Sequence, residues 1–124
     1  MANTTVYKVV RRDEKTLYSL CGARWSVAYV PNRWARGQQD MPLFAFRSRA
    51  QADTVAEEAR DWCKAEVWKA EIQGMRPCPL LPSGDSYYWP KFWRGEIEGE
   101  LEPDTGTVLA DAIRLVKQVW PEAK

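Results

Sequence analysis

Alternation opens the chain. From Thr5 to Arg12 the side chains of Tyr7, Val9 and Arg11 alternate with Val6, Lys8 and Val10 in a β-branched run. The polar Asp13-Glu14-Lys15 follows, so the pattern predicts a strand and a turn. Thr16–Leu20 reads as the returning strand of a hairpin. Trp25–Val30 reads as a third strand, stopped by Pro31-Asn32 because proline has no amide hydrogen to give a ladder. Residues 33–42 are polar, with Gly37 and paired glutamines, and read as a loop before a short apolar strand, Leu43–Phe46.

Ser48 then opens the clearest element. It stands three residues before Gln51 in a capping-box arrangement. Ala52, Val55, Ala56, Ala59, Trp62 and Cys63 recur at helical spacing, with Asp53, Glu57, Glu58 and Asp61 opposite them. This predicts an amphipathic helix lying on a sheet. In Glu66–Gln73, Trp68, Ala70 and Ile72 alternate with Lys69, Glu71 and Gln73, the pattern of a half-buried antiparallel strand. Residues 74–84 carry Pro77, Pro79 and Pro82 and read as a surface loop. Near the end, Leu109, Ala112, Ile113, Val116 and Trp120 form a helical stripe, while Ile113-Arg114-Leu115-Val116 also suits a strand; the periodicity favours the helix. The expected fold is a single α+β domain over residues 1–124, an antiparallel sheet of about five to six strands against one main helix, with a C-terminal helix or strand.

Composition narrows the function more than the fold. The chain has 124 residues, enough for one core, and no run approaches the roughly 20 apolar residues of a membrane span. Its opening residues lack the basic head and apolar run of a secretory signal, which points to the cytosol. Three cysteines, odd in number and far apart, read as reduced thiols rather than a disulfide or zinc framework. Histidine is absent, which excludes Ser-His-Asp, Cys-His and histidine-based metal chemistry. No phosphate-cradling glycine motif is present, and no catalytic residue, metal ligand or cofactor is called for. The net charge of +1 hides an asymmetry, because residues 1–49 carry nine Lys or Arg against three acids and residues 50–124 carry nine against fourteen.

Three clusters are candidate contact sites. Tyr87, Tyr88, Trp89, Lys91, Trp93 and Arg94 combine stacking faces with cations, the ingredients of protein hot spots and of single-strand or nucleotide binding. They could equally be core residues, although neighbours on an extended chain face opposite ways. Trp25 and Arg33-Trp34-Ala35-Arg36 interleave guanidinium with indole, suited to phosphate clamping or cation–π contacts, or to solvated arginines beside a core tryptophan. Glu96, Glu98, Glu100, Glu102 and Asp104 recur every second residue. They would line one face of an extended segment, as an acidic surface for a basic partner or as a charged edge strand that resists aggregation.

The run Val6-Tyr7-Lys8-Val9-Val10-Arg11, the Leu43-Phe44-Ala45-Phe46-Arg47-Ser48 step into a helix, Glu66-Val67-Trp68-Lys69, Phe92-Trp93 and Gly106-Thr107-Val108-Leu109-Ala110-Asp111 together resemble small proteins of unknown function encoded by bacteriophages and prophages. The resemblance transfers no catalytic residue. It implies a non-enzymatic protein that binds and disables a host factor, such as a defence protein or a protein–nucleic-acid complex, in the host cytosol. The alternatives are a nucleotide-binding protein or an ADP-ribosyltransferase-like enzyme with an aromatic and arginine pocket, and direct nucleic-acid binding by a patch around Arg11, Arg12, Arg33 and Arg36. Exposed aromatics and edge strands also allow a homodimer.

Overall fold

The structure, a computed structural model, describes residues 4–20, 26–82 and 89–121. Its frame is an antiparallel sheet of nine strands. Strand β1 (Thr4–Asp13) is central, pairing along its length with β6 (Lys64–Gln73) on one side. On its other side the C-terminal half takes β2 (Thr16–Ser19), as the hairpin pattern predicts, and β3 (Ala28–Tyr29) follows β2. The N-terminal half of that same edge takes β5 (Leu43–Phe46), through Tyr7 opposite Phe46. The edge of β1 therefore forks, with Lys8 and Val9 at the division.

The sheet also rolls. β6 continues through Gly74 into β7 (Arg76–Pro77), and β8 (Thr107–Ala110) continues through Asp111 into β9 (Ala112–Trp120). β6 pairs with β9 and β7 with β8, so these strands form one ribbon bent at Gly74 and Asp111. β8 in turn pairs with β5, so a path that leaves β1 through β6 returns to it through β8 and β5. The bend is tightly built. The Asp111 amide donates to the Gln73 carbonyl at 2.8 Å, Arg76 pairs with Asp111 at 3.1 Å, and a Cβ on Gly74 (φ 68°) would lie 2.0 Å from the Asp111 carboxylate. Only glycine fits there.

Two apolar layers result. The inner face of the rolled sheet buries Val6, Val10, Leu43, Ala45, Ile72, Val108, Ile113 and Leu115. On the outer face, helix α1 (Arg49–Ala59) covers Val9, Ala65 and Val67 with Ala52, Ala56 and Ala59. The Ser48 hydroxyl accepts from the Gln51 amide, so the predicted cap forms. An alanine face lets the helix lie close to the strands, but leaves it too narrow to cover the neighbouring β5 aromatics.

The sequence expectations need six corrections. Residues 74–84, read as a surface loop, hold the short strand β7, and the sheet has nine strands where about five to six were expected. Residues 33–42 contain strand β4 (Trp34–Arg36), paired with β9, and a 3-10 turn, Gln38–Asp40. The C-terminal stripe is two strands, not a helix; Ile113 and Leu115 point inward while Arg114 points out, and the free edge of β6 supplies the partner that decides it. The helix stops at Ala59, so Trp62 and Cys63 lie in the following turn, and Trp62 is 62% exposed instead of buried. The acidic alternation forms no strand. Gly95 (φ 81°) and an Arg94–Glu96 ion pair turn the chain, and only Leu101 bridges back, to Leu81. The sheet thus dominates a broadly α+β fold, with β6 buried on both faces over Ala65–Trp68.

Candidate functional site

The fork in β1 leaves a gap where two strands diverge, and the side chains around it wall a groove of about 340 Å³. Its floor is Lys8, Val9 and Ser19; β5 contributes Leu43, Phe44 and Phe46, α1 contributes Val55, and Trp62 and Trp89 stand at its sides. Trp89 opens the short helix α2 (Trp89–Trp93), which sits on β5: the Phe44 ring meets Trp89 edge-on at 5.6 Å and Trp93 at 6.2 Å. Phe92 stacks edge-on with Trp93 at 4.7 Å. Leu81 and Pro103 complete the lining, which is mainly apolar, the composition of pockets that take apolar side chains or small ligands.

Lys8 is the unusual floor residue. In phase with Val6 and Val10, it points inward and is 6% exposed. Its ammonium donates to the Phe44 carbonyl at 2.7 Å and lies 5.6 Å from the centre of the Tyr29 ring. A lysine Nζ carries three donors, and a charge held among apolar walls acts more strongly than one in water. Asp104 also lines the groove, so its described charged lining residues are one cation and one carboxylate. Beneath, Tyr29 is buried and its hydroxyl has no hydrogen-bond partner among the described residues; burial pushes its ionisation up, opposed by the neighbouring Ser19 hydroxyl. The Trp93 indole nitrogen is likewise buried and unpartnered among the described residues.

Farther along the same strands, Glu66 is 8% exposed and fully engaged. It receives Arg12 through two guanidinium nitrogens, at 2.5 and 3.0 Å, and the Trp68 indole N–H at 3.0 Å. The Glu66 hydrogen bond raises the Arg12 pKa against the opposing effect of burial. This network pairs the buried Glu66 carboxylate with both Arg12 and Trp68. A second cavity, about 430 Å³, is polar, lined by Arg47, Cys78, Glu102, Asp104 and Thr107; burial pushes the Cys78 thiol up to about 11. Such a thiol is poorly nucleophilic at neutral pH. Burial also raises Cys63, against the pull of Arg11.

The sequence-derived candidates separate in space. Trp89 and Trp93 belong to the groove and its wall, while Lys91 and Arg94 are exposed on the same short helix and its following turn. Trp34 lies on β4 with its ring under Arg114 of β9 at 5.0 Å, and Arg114 is paired with Glu71 of β6. Arg33 and Arg36 are exposed beside it. Trp34 and the Trp89–Trp93 helix therefore pack on different strands and form no common arginine–aromatic pocket. Glu96, Glu98, Glu100, Glu102 and Asp104 are exposed along an irregular segment, and Glu102 and Asp104 reach the polar cavity. Trp25, Tyr87 and Tyr88 lie outside the described residues.

The sequence reading missed Lys8, Phe44, Phe46 and Trp62. A lysine in phase with inward valines was the available signal for Lys8, since a cation at such a position must find a polar partner. Among the described residues no group of carboxylates and cysteines could hold a metal ion, and no helix is long and apolar enough to cross a membrane. No family model, no curated protein and no solved structure matches this chain.

Proposed function

We propose that this protein is a non-catalytic binding protein that seizes a partner protein by bulky apolar side chains inserted into the groove between α1 and α2. The observation that carries this reading is the groove itself. Phe44, Phe46, Trp62 and Trp89 present aromatic surface around a gap at the sheet fork, and Trp62 remains 62% exposed. Protein hot spots have this form, aromatic-walled and desolvated at the centre. Leu80, Ile97 and Leu101, all exposed on the segments that follow the groove wall, extend the apolar surface beyond a small-ligand pocket. The likeness of the layout to phage proteins makes a host-cell factor, such as a defence protein or a protein–nucleic-acid complex, the expected class of partner. A nucleotide pocket has less support, because Arg114 already occupies a face of Trp34 and the described charged residues of the groove lining are one lysine and one carboxylate.

The test is site-specific capture. The immobilised 124-residue chain is expected to retain a partner from host lysate. Trp62→Ser is expected to lose that partner while Glu71→Ala, on the opposite side of the sheet path, keeps it. Retention by Trp62→Ser, or loss by Glu71→Ala alone, would move the contact away from the groove.

A further inference from the structure

Independently of the groove, we infer that the open part of the sheet's outer face binds single-stranded nucleic acid, with Lys69 and Lys117 holding its phosphates and Tyr7 and Trp34 offering ring surface to its bases. Helix α1 covers Val9, Ala65 and Val67, but β6 continues past it toward Gly74 with Lys69 exposed. The cross-strand register sets Lys117, Lys69 and Tyr7 in one row there, beside the row of Trp34, Arg114 and Glu71. Arg36, two residues on from Trp34, shares the face and is exposed. Four cations thus stand against one carboxylate, and Arg114 already pairs with that carboxylate. Lys69 and Lys117 are directly opposite each other, and both are exposed. Like charges so placed repel. Among the described residues neither lysine makes an ion pair, so the sheet itself does not relieve the repulsion. An anion between them turns one repulsion into two attractions.

The rings alongside select the kind of anion. Tyr7, beside Lys69 in register, and Trp34 are each half-buried, so part of each side chain stays uncovered. Bases stack on such rings with little regard to sequence while neighbouring cations follow the backbone, and an open antiparallel sheet presents both at once. An acidic protein would use the lysines and leave the rings idle. The basic run at the start of the chain is engaged elsewhere, since Arg12 holds Glu66 and Arg11 lies over the Tyr18 ring at 4.8 Å.

The probe is a fluorescein-labelled oligothymidylate of about twelve nucleotides, within the span of a small single-strand site, followed by anisotropy with the full chain at low salt. Binding is expected to weaken with salt at a log–log slope of about −2, the value for roughly three phosphate contacts, by Lys69, Lys117 and Arg36. Lys69→Gln with Lys117→Gln is expected to weaken binding at least about tenfold and to bring the slope to about −0.7. Its urea midpoint should stay at or above that of the wild type, because a like-charge pair is removed. Lys69→Arg with Lys117→Arg, which keeps the charge, is expected to keep the binding. A duplex of the same length is expected to bind more weakly despite its denser charge, since its bases are already stacked on one another. Trp62→Ser is expected to leave oligonucleotide binding unchanged, so the groove and the sheet face fail separately. No binding at low salt overturns the inference, as does affinity that survives the double glutamine substitution. A duplex that binds as tightly as the single strand overturns the role of the rings. Displacement of the probe by an oligoglutamate peptide as readily as by unlabelled strand overturns it in favour of an acidic protein.

Discussion

Two regions of this molecule use the same residue types to opposite ends. On the outer face of β4, β9 and β6, Trp34, Arg114 and Glu71 stand side by side in register. The indole lies under the guanidinium, and the guanidinium is held by the carboxylate. Every group there has its counterpart within the row. At the fork of β1, by contrast, Phe44, Trp89 and Trp62 surround a gap, and the cation beneath them is held by a backbone carbonyl and an aromatic face. Composition does not separate the two, because both join tryptophan to a basic residue. What separates them is register: continuous pairing brings cross-strand partners into a row, whereas β5 leaves β1 before β2 arrives, and no such row runs across the fork.

The largest expected effect lies on the groove side. Phe44 seats the short helix α2 through both Trp89 and Trp93, so Phe44→Ala removes two ring contacts and opens a cavity in a half-buried layer. A loss of about 2 kcal/mol is expected in urea unfolding, below the range for a fully buried phenylalanine. A loss under about 0.5 kcal/mol, typical of a neutral surface change, would mean that α2 is not anchored on β5 and that the groove lacks a fixed wall.

The row on the other side should yield less. Arg114 and Glu71 are partly exposed, at 33% and 26% of their side chains, so their pairing is screened by solvent. Arg114→Ala is expected to cost about 1 kcal/mol through lost packing on Trp34 as well as lost charge. A double-mutant cycle with Glu71→Ala should give a coupling of about 0.5 kcal/mol that shrinks in salt. A coupling that salt does not change would show that the row holds by packing alone.

The contrast also explains what the sequence could and could not disclose. β1, β2, β5, α1 and β6 were legible because each carries its own signal: strict alternation in Val6–Arg12, the Ser48 cap, the alanine stripe, the alternation through Ile72. Residues 107–120 were not, since a run containing Ala112, Ile113, Leu115 and Val116 satisfies periods of both 2 and 3.6. The open edge of β6, more than thirty residues earlier in the chain, decides the matter. The acidic alternation after Gly95 failed for the complementary reason. Period 2 is necessary for a strand but not sufficient, and among the described residues the segment bridges only where Leu101 meets Leu81. The aromatic segment supplies Trp89 to the groove and Trp93 to its wall, but the groove also needs Phe44, Phe46 and Lys8 from distant strands. That assembly follows from the fork, a tertiary feature with no local trace.

Trp62 gives the smallest expected effect on stability and the sharpest division between the two regions. Helical periodicity placed it on the buried stripe with Ala59 and Cys63, yet the helix ends one turn earlier and the side chain stands 62% exposed at the edge of the groove. An indole so exposed contributes little burial to the folded state, so Trp62→Ser should change the urea midpoint by less than about 0.5 kcal/mol equivalent. The Trp34 ring, half-covered by Arg114, should by the same measure cost about 1 kcal/mol when truncated. Equal and large costs at the two positions would show Trp62 to be part of the fold. A negligible cost at Trp62, together with loss of partner capture, would identify a large apolar side chain kept on the surface without stabilising the fold, because contact with a partner, not folding, buries it.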